Sequence, residues 1–391
     1  MKKILTISVI IIALIVLLGF LFWPKAGEAP QVVVDGLPFG SGADATSTPL
    51  IAEGEVPRIT GSEYGDDTEE QREKLFKLSS EPVAGFVILK RATTTVVRYA
   101  DRATGHIYDV SLPGVEKVRV TNNTIPKIYE AVFRDDGSAV LLRSLKNDSD
   151  SIENLTLNLA STTLASLMPS GIDSPLALSG NTLLYAEKNS GAILSSSFTG
   201  TNLKQVFSSS FNGWRISKLG GDLLLYPKAS AYANGYAYRL TLGGSFNKVL
   251  GPLKALTIVG DSSGKLVLYS YSDGGTKFFT SNLVSGETSE ILPTTLAEKC
   301  VWSALKESTF YCGAPKGGIT SLEPDSWYQG KTHFSDYIWS LSLEGDVGSL
   351  VIDPELEYAV NIDVLRPVLS QDEKYLLFIN KNDLTLWGIA L

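Results

Sequence analysis

The chain is expected to be all-β: a seven-bladed β-propeller of four-stranded antiparallel blades, preceded by one transmembrane helix and a disordered linker. Three observations in the 391-residue sequence point there. A turn followed by an apolar, β-rich run recurs every 41–43 residues from residue 94 to residue 307. The last stretch, Arg366–Leu391, supplies three strands and stops. A mostly apolar run, Ile4–Trp23, stands at the start.

Taken in order, Ile4–Trp23 is broken only by Thr6, Ser8 and Gly19. Twenty helical residues at ~1.5 Å each cover ~30 Å, the thickness of a bilayer core. Lys2 and Lys3 precede the run and Trp23 closes it. Those flanks keep the N-terminus cytoplasmic and send the rest of the chain outside. A cleaved signal peptide has a shorter apolar region and a small-residue cleavage site. Trp23-Pro24-Lys25 is a poor one, and no cysteine lies near enough for lipoprotein processing. Residues 1–24 are therefore expected to be a retained signal anchor in a single-pass membrane protein with an extracytoplasmic propeller. Residues 25–67 follow as a linker with seven glycines, four prolines after Pro24 and no sustained period, the composition of a flexible tether. The net charge of −8 gives no electrostatic case for nucleic acid. Residues 27–80 hold 11 acids against 4 bases, so the acidity is concentrated around the linker.

The propeller is expected over 68–391. Hairpin glycines stand at 137, 180, 221 and 264, each before an apolar run: Ala139–Leu142, Thr182–Tyr185, Leu223–Tyr226 and Leu266–Tyr269. Steps of 43 extend the series to Thr94 and Glu307, and a last turn falls at Glu373. The long final interval has room for an insertion, 313–335, rich in Gly, Pro and polar residues. A period of this size filled with short strands is the mark of a propeller blade. A pair of β-sandwiches also has closely spaced strands but does not require the same phrase at a fixed period.

Pro367-Val368-Leu369-Ser370-Gln371-Asp372-Glu373-Lys374-Tyr375-Leu376-Leu377-Phe378 resembles the repeat phrase of WD40-like, TolB-type propellers, and Val132–Gly137 is a looser copy. The resemblance implies the fold and, since periplasmic propellers of that type bind proteins, a protein partner. It implies no particular binding residue.

Three strands leave the last blade one short. The run Lys74–Leu78 lies 43 residues before Lys117–Thr121, the fourth strand of the first unit, and is expected to close the ring. A short helix from Thr68 competes for the same stretch, and a helical turn at 67–73 can also precede the strand. Cys300 and Cys312 are the only cysteines and flank a predicted hairpin turn symmetrically. Directly opposed strand residues are within disulfide reach. Two buried free thiols are the alternative.

No chemistry announces itself. Gly260-Asp261-Ser262-Ser263-Gly264 has the spacing of a nucleophile elbow but sits in a hairpin, where the strand-to-helix turn is missing. Tyr271–Phe278 only faintly resembles a sialidase Asp box. Asp148 and Asp150 fit no calcium loop, and His106 and His333 have no metal-ligand spacing. No catalytic, cofactor or metal residue is assigned, no cofactor is expected, and the protein is expected not to be an enzyme. The candidate binding surface is Trp327 and Tyr328 in the insertion, with Tyr232 and Tyr236 in a second aromatic hairpin. Trp327 packed on the blade face, holding down its own loop, is expected on at least equal grounds. The expected function is a protein-interaction or scaffold module at the cell envelope, with an unknown protein partner. The competing function is a glycan-binding or hydrolytic propeller that uses the central channel. Carboxylates and aromatics clustered at one channel mouth would favour the second; an exposed Trp327 patch over a pocketless channel would favour the first.

Overall fold

Alternating apolar runs and tight turns build seven four-stranded antiparallel sheets, the blades of a propeller. The computed structural model describes residues 73–391 except 115, 147–150, 161–165 and 170. The expected anchor, the linker and the helical turn before Lys74, together with Asp148 and Asp150, lie outside the described residues, apart from Glu73 at the end of that turn. Among the described residues no helix is long and apolar enough to cross a membrane.

Blades one to six occupy 83–119, 128–167, 172–209, 214–254, 257–290 and 300–352, each with its strands in chain order from channel to rim. Second strands are sandwiched between neighbouring blades, so they read as unbroken apolar runs: Leu183-Leu184-Tyr185, Leu223-Leu224-Leu225 and Leu376-Leu377-Phe378 are all buried. Rim strands such as Lys117–Arg119 and Thr288–Glu290 are exposed throughout and carry polar or charged residues, which discourages edge pairing. Gly85 shows how close the inner strands approach: a Cβ there would lie 2.1 Å from the carbonyl oxygen of Ala131 in the next blade.

The hairpin between first and second strands carries a left-handed residue in every blade: Ala92, Gly137, Gly180, Gly220, Gly264, Ser308 and Glu373. Glycine takes that conformation without steric strain, and four of the seven hairpins use it. Cys300 and Cys312 face each other in register across the first two strands of blade six and form a disulfide.

The seventh sheet joins the two ends of the described chain. Val364–Leu369, Tyr375–Asn380 and Leu386–Ala390 are its inner three strands, and Leu75–Lys77 pairs with the last of them as the rim strand. The main-chain N–H of Ala390 donates to Lys74 and that of Leu78 donates to Leu386. The helix Pro354–Tyr358, capped by Asp353, sets the Tyr358 hydroxyl to accept from the Lys74 N–H at 3.0 Å. Removing residues 1–80 exposes the edge of Leu386–Ala390 and the Leu75 socket. Such a chain is expected to melt at a clearly lower temperature than the full-length protein by scanning calorimetry; an unchanged, cooperative transition would refute the dependence on this strand.

Candidate functional site

Inner strands enter at one face of the ring, here called the upper face, which also carries the loops between second and third strands. They surround a central cavity of about 1080 Å³. Charged groups gather at its upper mouth from four blades: Glu130, Arg215, Lys228, Glu298 and Arg366, with the phenols of Tyr226 and Tyr328. β-Bulges aim two of them. The inner strand of blade two shifts register between Ile128 and Glu130, and that of blade seven between Leu365 and Val368, where Arg366 is left-handed. A bulge re-aims a side chain that regular alternation would point between blades. Glu130 accepts from Arg366 at 2.7 Å and from Arg143 at 2.5 Å. Burial pushes the Glu130 carboxyl up, but Arg366 and Arg143 outweigh it and hold the group below the usual range. Arg143 is buried and also donates to the Ile172 carbonyl, so it is fixed.

On the opposite side of the mouth, Tyr328 donates to Glu298 at 2.6 Å. Burial raises the Glu298 carboxyl above its ordinary value against the pull of the Tyr328 hydrogen bond and of Arg215, Lys228 and Arg366. Burial and the Glu298 charge raise both Tyr328 and Tyr226, the latter to about 12. Lys228 lies over the Tyr328 ring at 4.8 Å. Among the described residues, Arg215 and Lys228 have no carboxylate within ion-pair distance, although Arg215 is half-buried.

The insertion brings Tyr328 to the mouth. It leaves blade six after Pro315, forms the one-turn helix Asp325–Tyr328 and rejoins at Asp336. Trp327 is 1% exposed, and its indole N–H donates to both oxygens of Asp363 at 2.9 and 3.0 Å. Beneath it Lys299, fully buried, meets Asp336 at 2.8 Å and also pairs with Asp363. Burial, and then Asp363, raise Asp336 to about 6 against the opposing Lys299 charge. At its far side the insertion reaches blade four, where the Ala231 N–H donates to Asp325 at 2.6 Å.

The expected binding surface is therefore redistributed. Trp327 is not a surface residue: its ring fills the socket that Lys299, Phe334 and Asp363 provide, and it holds the loop down. Tyr328 stands at the channel mouth. Tyr232 is 74% exposed on the blade-four loop, and Tyr236 lines a separate cleft. In Gly260–Gly264, Asp261 accepts from the main-chain N–H groups of Ser263, Lys265 and Leu266, which is turn chemistry. Among the described residues no group of three His, Cys, Asp or Glu side chains suits a metal ion. Glu130, Arg215, Glu298 and Arg366 were not singled out from the sequence. Their one signal is position: each lies within two residues of the start of an inner strand.

No protein-family model matches the chain, and no curated protein matches it. Solved structures do. A streptogramin B lyase is 14% identical over 81% of this chain and 97% of its own, with a TM-score of 0.53. Oligogalacturonate lyase from Vibrio parahaemolyticus is 9% identical over 82% and 94%, with a TM-score of 0.52. TolB from Acinetobacter baumannii is 14% identical over 69% of this chain, which spans 63% of the TolB chain, with a TM-score of 0.42. At these identities the likeness shows the propeller fold alone. It nevertheless corrects one expectation. The exclusion of an enzyme rested on missing local motifs, and lyases stand among the similar folds, so the exclusion is withdrawn.

Asp336 holds its proton more tightly folded than at its ordinary value of 3.8. Its contribution is complete below that value and is lost as pH rises through about 6. Asp336→Asn stays neutral at every pH. The wild type is expected to gain thermal stability relative to this variant as pH falls from about 7 to about 5; parallel melting curves across that window would contradict the assignment.

Proposed function

We propose that the propeller is a recognition module whose site is the upper mouth of the central channel, and that its ligand carries a carboxylate or comparable anionic group. Arg215 is the observation behind this reading. A half-buried guanidinium on a cavity wall has no carboxylate at ion-pair distance, and Glu298, the acid that acts on it from farther off, is itself shifted toward its neutral form. Lys228 and Arg366 flank it, so three cations converge on one opening. Guanidinium groups bind carboxylates through paired, charge-assisted hydrogen bonds. The burial of Trp327 and the open channel mouth, lined by carboxylates and tyrosines, both favour a channel site over an insertion patch.

This reading places the propeller outside a membrane, held by the apolar run Ile4–Trp23 at the cell envelope. The disulfide supports that location, because such bonds persist in oxidising compartments. By the criterion set from the sequence, a channel mouth lined by carboxylates and tyrosines counts toward an acidic glycan, and an acidic protein segment offers the same carboxylate chemistry to the same cations.

The test titrates a fluorescein-labelled oligoglutamate and a labelled oligouronate against the full-length protein in detergent. One of them is expected to bind, with affinity falling as salt rises and falling about tenfold in Arg215→Ala. Binding is also expected to tighten as pH falls, because protonating Glu298 removes a negative charge beside the anion. Equal affinity for wild type and Arg215→Ala would overturn the site, and failure of both probes to bind would overturn the ligand class.

A further inference from the structure

The aromatic cleft in blade four lies next to the channel mouth, and Lys228 lines both. Its volume is about 470 Å³, and its walls include the rings of Phe211, Trp214, Tyr236, Tyr238 and Phe246. The rings lock one another: Phe211 meets Trp214 edge-on at 4.6 Å, Trp214 meets Tyr238 edge-on at 5.8 Å, and Tyr238 stacks on Phe246 at 4.6 Å. The Trp214 indole N–H donates to Ser209 at 3.0 Å, so the ring needs no polar partner from a ligand. Phe211 remains 44% exposed at the lip, in a loop whose conformation is fixed by the Ser209 hydroxyl donating to the Phe211 carbonyl.

The cleft exists because the blade-four sheet is split. Asp222–Pro227 and Asn234–Leu240 pair only over Leu223–Leu225 with Tyr238–Leu240. Above that point they diverge, with Pro227 on one wall and Asn234, Gly235 and Tyr236 on the other. In blade five the equivalent strands pair from Leu266 to Ser272 without a break.

We infer that this cleft is the second half of the channel-mouth site, and that the ligand is a peptide segment placing a large apolar side chain in the cleft beside an acidic group at the mouth. The inference rests on the channel-mouth reading above and narrows it to a protein partner. Three features argue for a peptide. The exposed lining is mostly apolar, with five aromatic rings among its residues, which suits a large apolar side chain. Diverging strands present main-chain edges, the groups with which an extended peptide pairs. Lys228 bridges the two compartments, so an acidic residue near the apolar one meets a cation without leaving the cleft.

Full-length protein in detergent is titrated by fluorescence anisotropy with two labelled hexapeptides, Gly-Phe-Gly-Glu-Glu-Gly and its reverse, and with versions in which Phe is replaced by Ala. One of the Phe peptides is expected to bind, and either Phe211→Ala or the Phe-to-Ala peptide is expected to weaken it about tenfold. Combining the two should add little further loss, the signature of direct contact. Phe211 is exposed enough that an unchanged melting temperature checks the variant's fold. If neither change matters while Arg215→Ala still weakens binding, the cleft inference falls and the channel site stands. If Arg215→Ala has no effect either, both fall. Absence of saturable binding by either Phe peptide overturns the peptide inference while leaving the oligouronate arm to decide the channel site.

Discussion

A propeller has no core until its ring is shut. Each blade buries a face only against the next, so the first and last blades must meet, and here they meet through a sheet assembled from both ends of the described chain. Leu377, Ile379 and Leu386 of blade seven pack with Val83, Val97, Tyr99 and Val110 of blade one. Leu75–Lys77 holds the outside of that seam. The Phe76 ring lies against Gly388, where a Cβ would come within 2.5 Å of it, so the glycine makes room for the incoming strand. Lys77 covers the Trp387 ring at 5.3 Å, and Lys74 donates to the Val351 carbonyl in blade six at 2.7 Å. These contacts fix where the preceding chain enters: the rim of blade seven, beside Leu391.

The second constraint is the buried Lys299 cluster. Three charges with no solvent contact are costly to assemble, and a set of this kind stabilises only when nearly every polar atom is matched. Lys299 also donates to the Val364 carbonyl, Asp336 accepts from the Val364 N–H, and Asp363 accepts from Trp327 and Phe334. The unmatched atom is one oxygen of Asp336, on the carboxyl that burial drives toward its protonated form. Because this socket seats Trp327, the next residue, Tyr328, is delivered to Glu298. Core and site are thus coupled through adjacent residues: Glu298 faces the channel while Lys299 faces the socket.

Legibility followed the same physics. The blade period was readable where a hairpin's left-handed residue is glycine, at Gly137, Gly180, Gly220 and Gly264, and fainter where Ala92, Ser308 or Glu373 is held there by the surrounding sheet. The cysteine pair was readable because cross-strand register follows from the turn between them. The site was not. Glu130 and Arg366 are 236 residues apart and meet through bulges that no local pattern announces. For Trp327 two readings stood open, recognition or an anchor for its own loop, and the second holds; the polar socket that decides it comes from residues before and after the insertion. Tyr236 drew notice as one of a run of tyrosines, but the cleft it lines depends on Trp214 from the inner strand and on a split between strands that composition does not encode.

Two kinds of cation occupy this ring, and the contrast assigns their roles. Lys299 and Arg143 are buried and engaged: carboxylates neutralise them, main-chain carbonyls accept from both, and the Asn154 side chain accepts from Arg143 as well. Charges so matched have little left to offer a ligand, and removing one would leave its carboxylates stranded. Arg215 and Lys228 line the same face of the molecule without such partners, over a cavity large enough to admit one. The acid that couples to both at the mouth, Glu298, accepts from the Tyr328 hydroxyl and is shifted toward neutrality. Among the described residues the buried cations Arg98, Arg143 and Lys299 all sit in ion pairs, whereas Arg215 and Lys228 at the cavity mouth have no carboxylate at ion-pair distance and stand where an anion can enter. That asymmetry, more than the depth of the channel, sets the upper mouth apart from the rest of the surface.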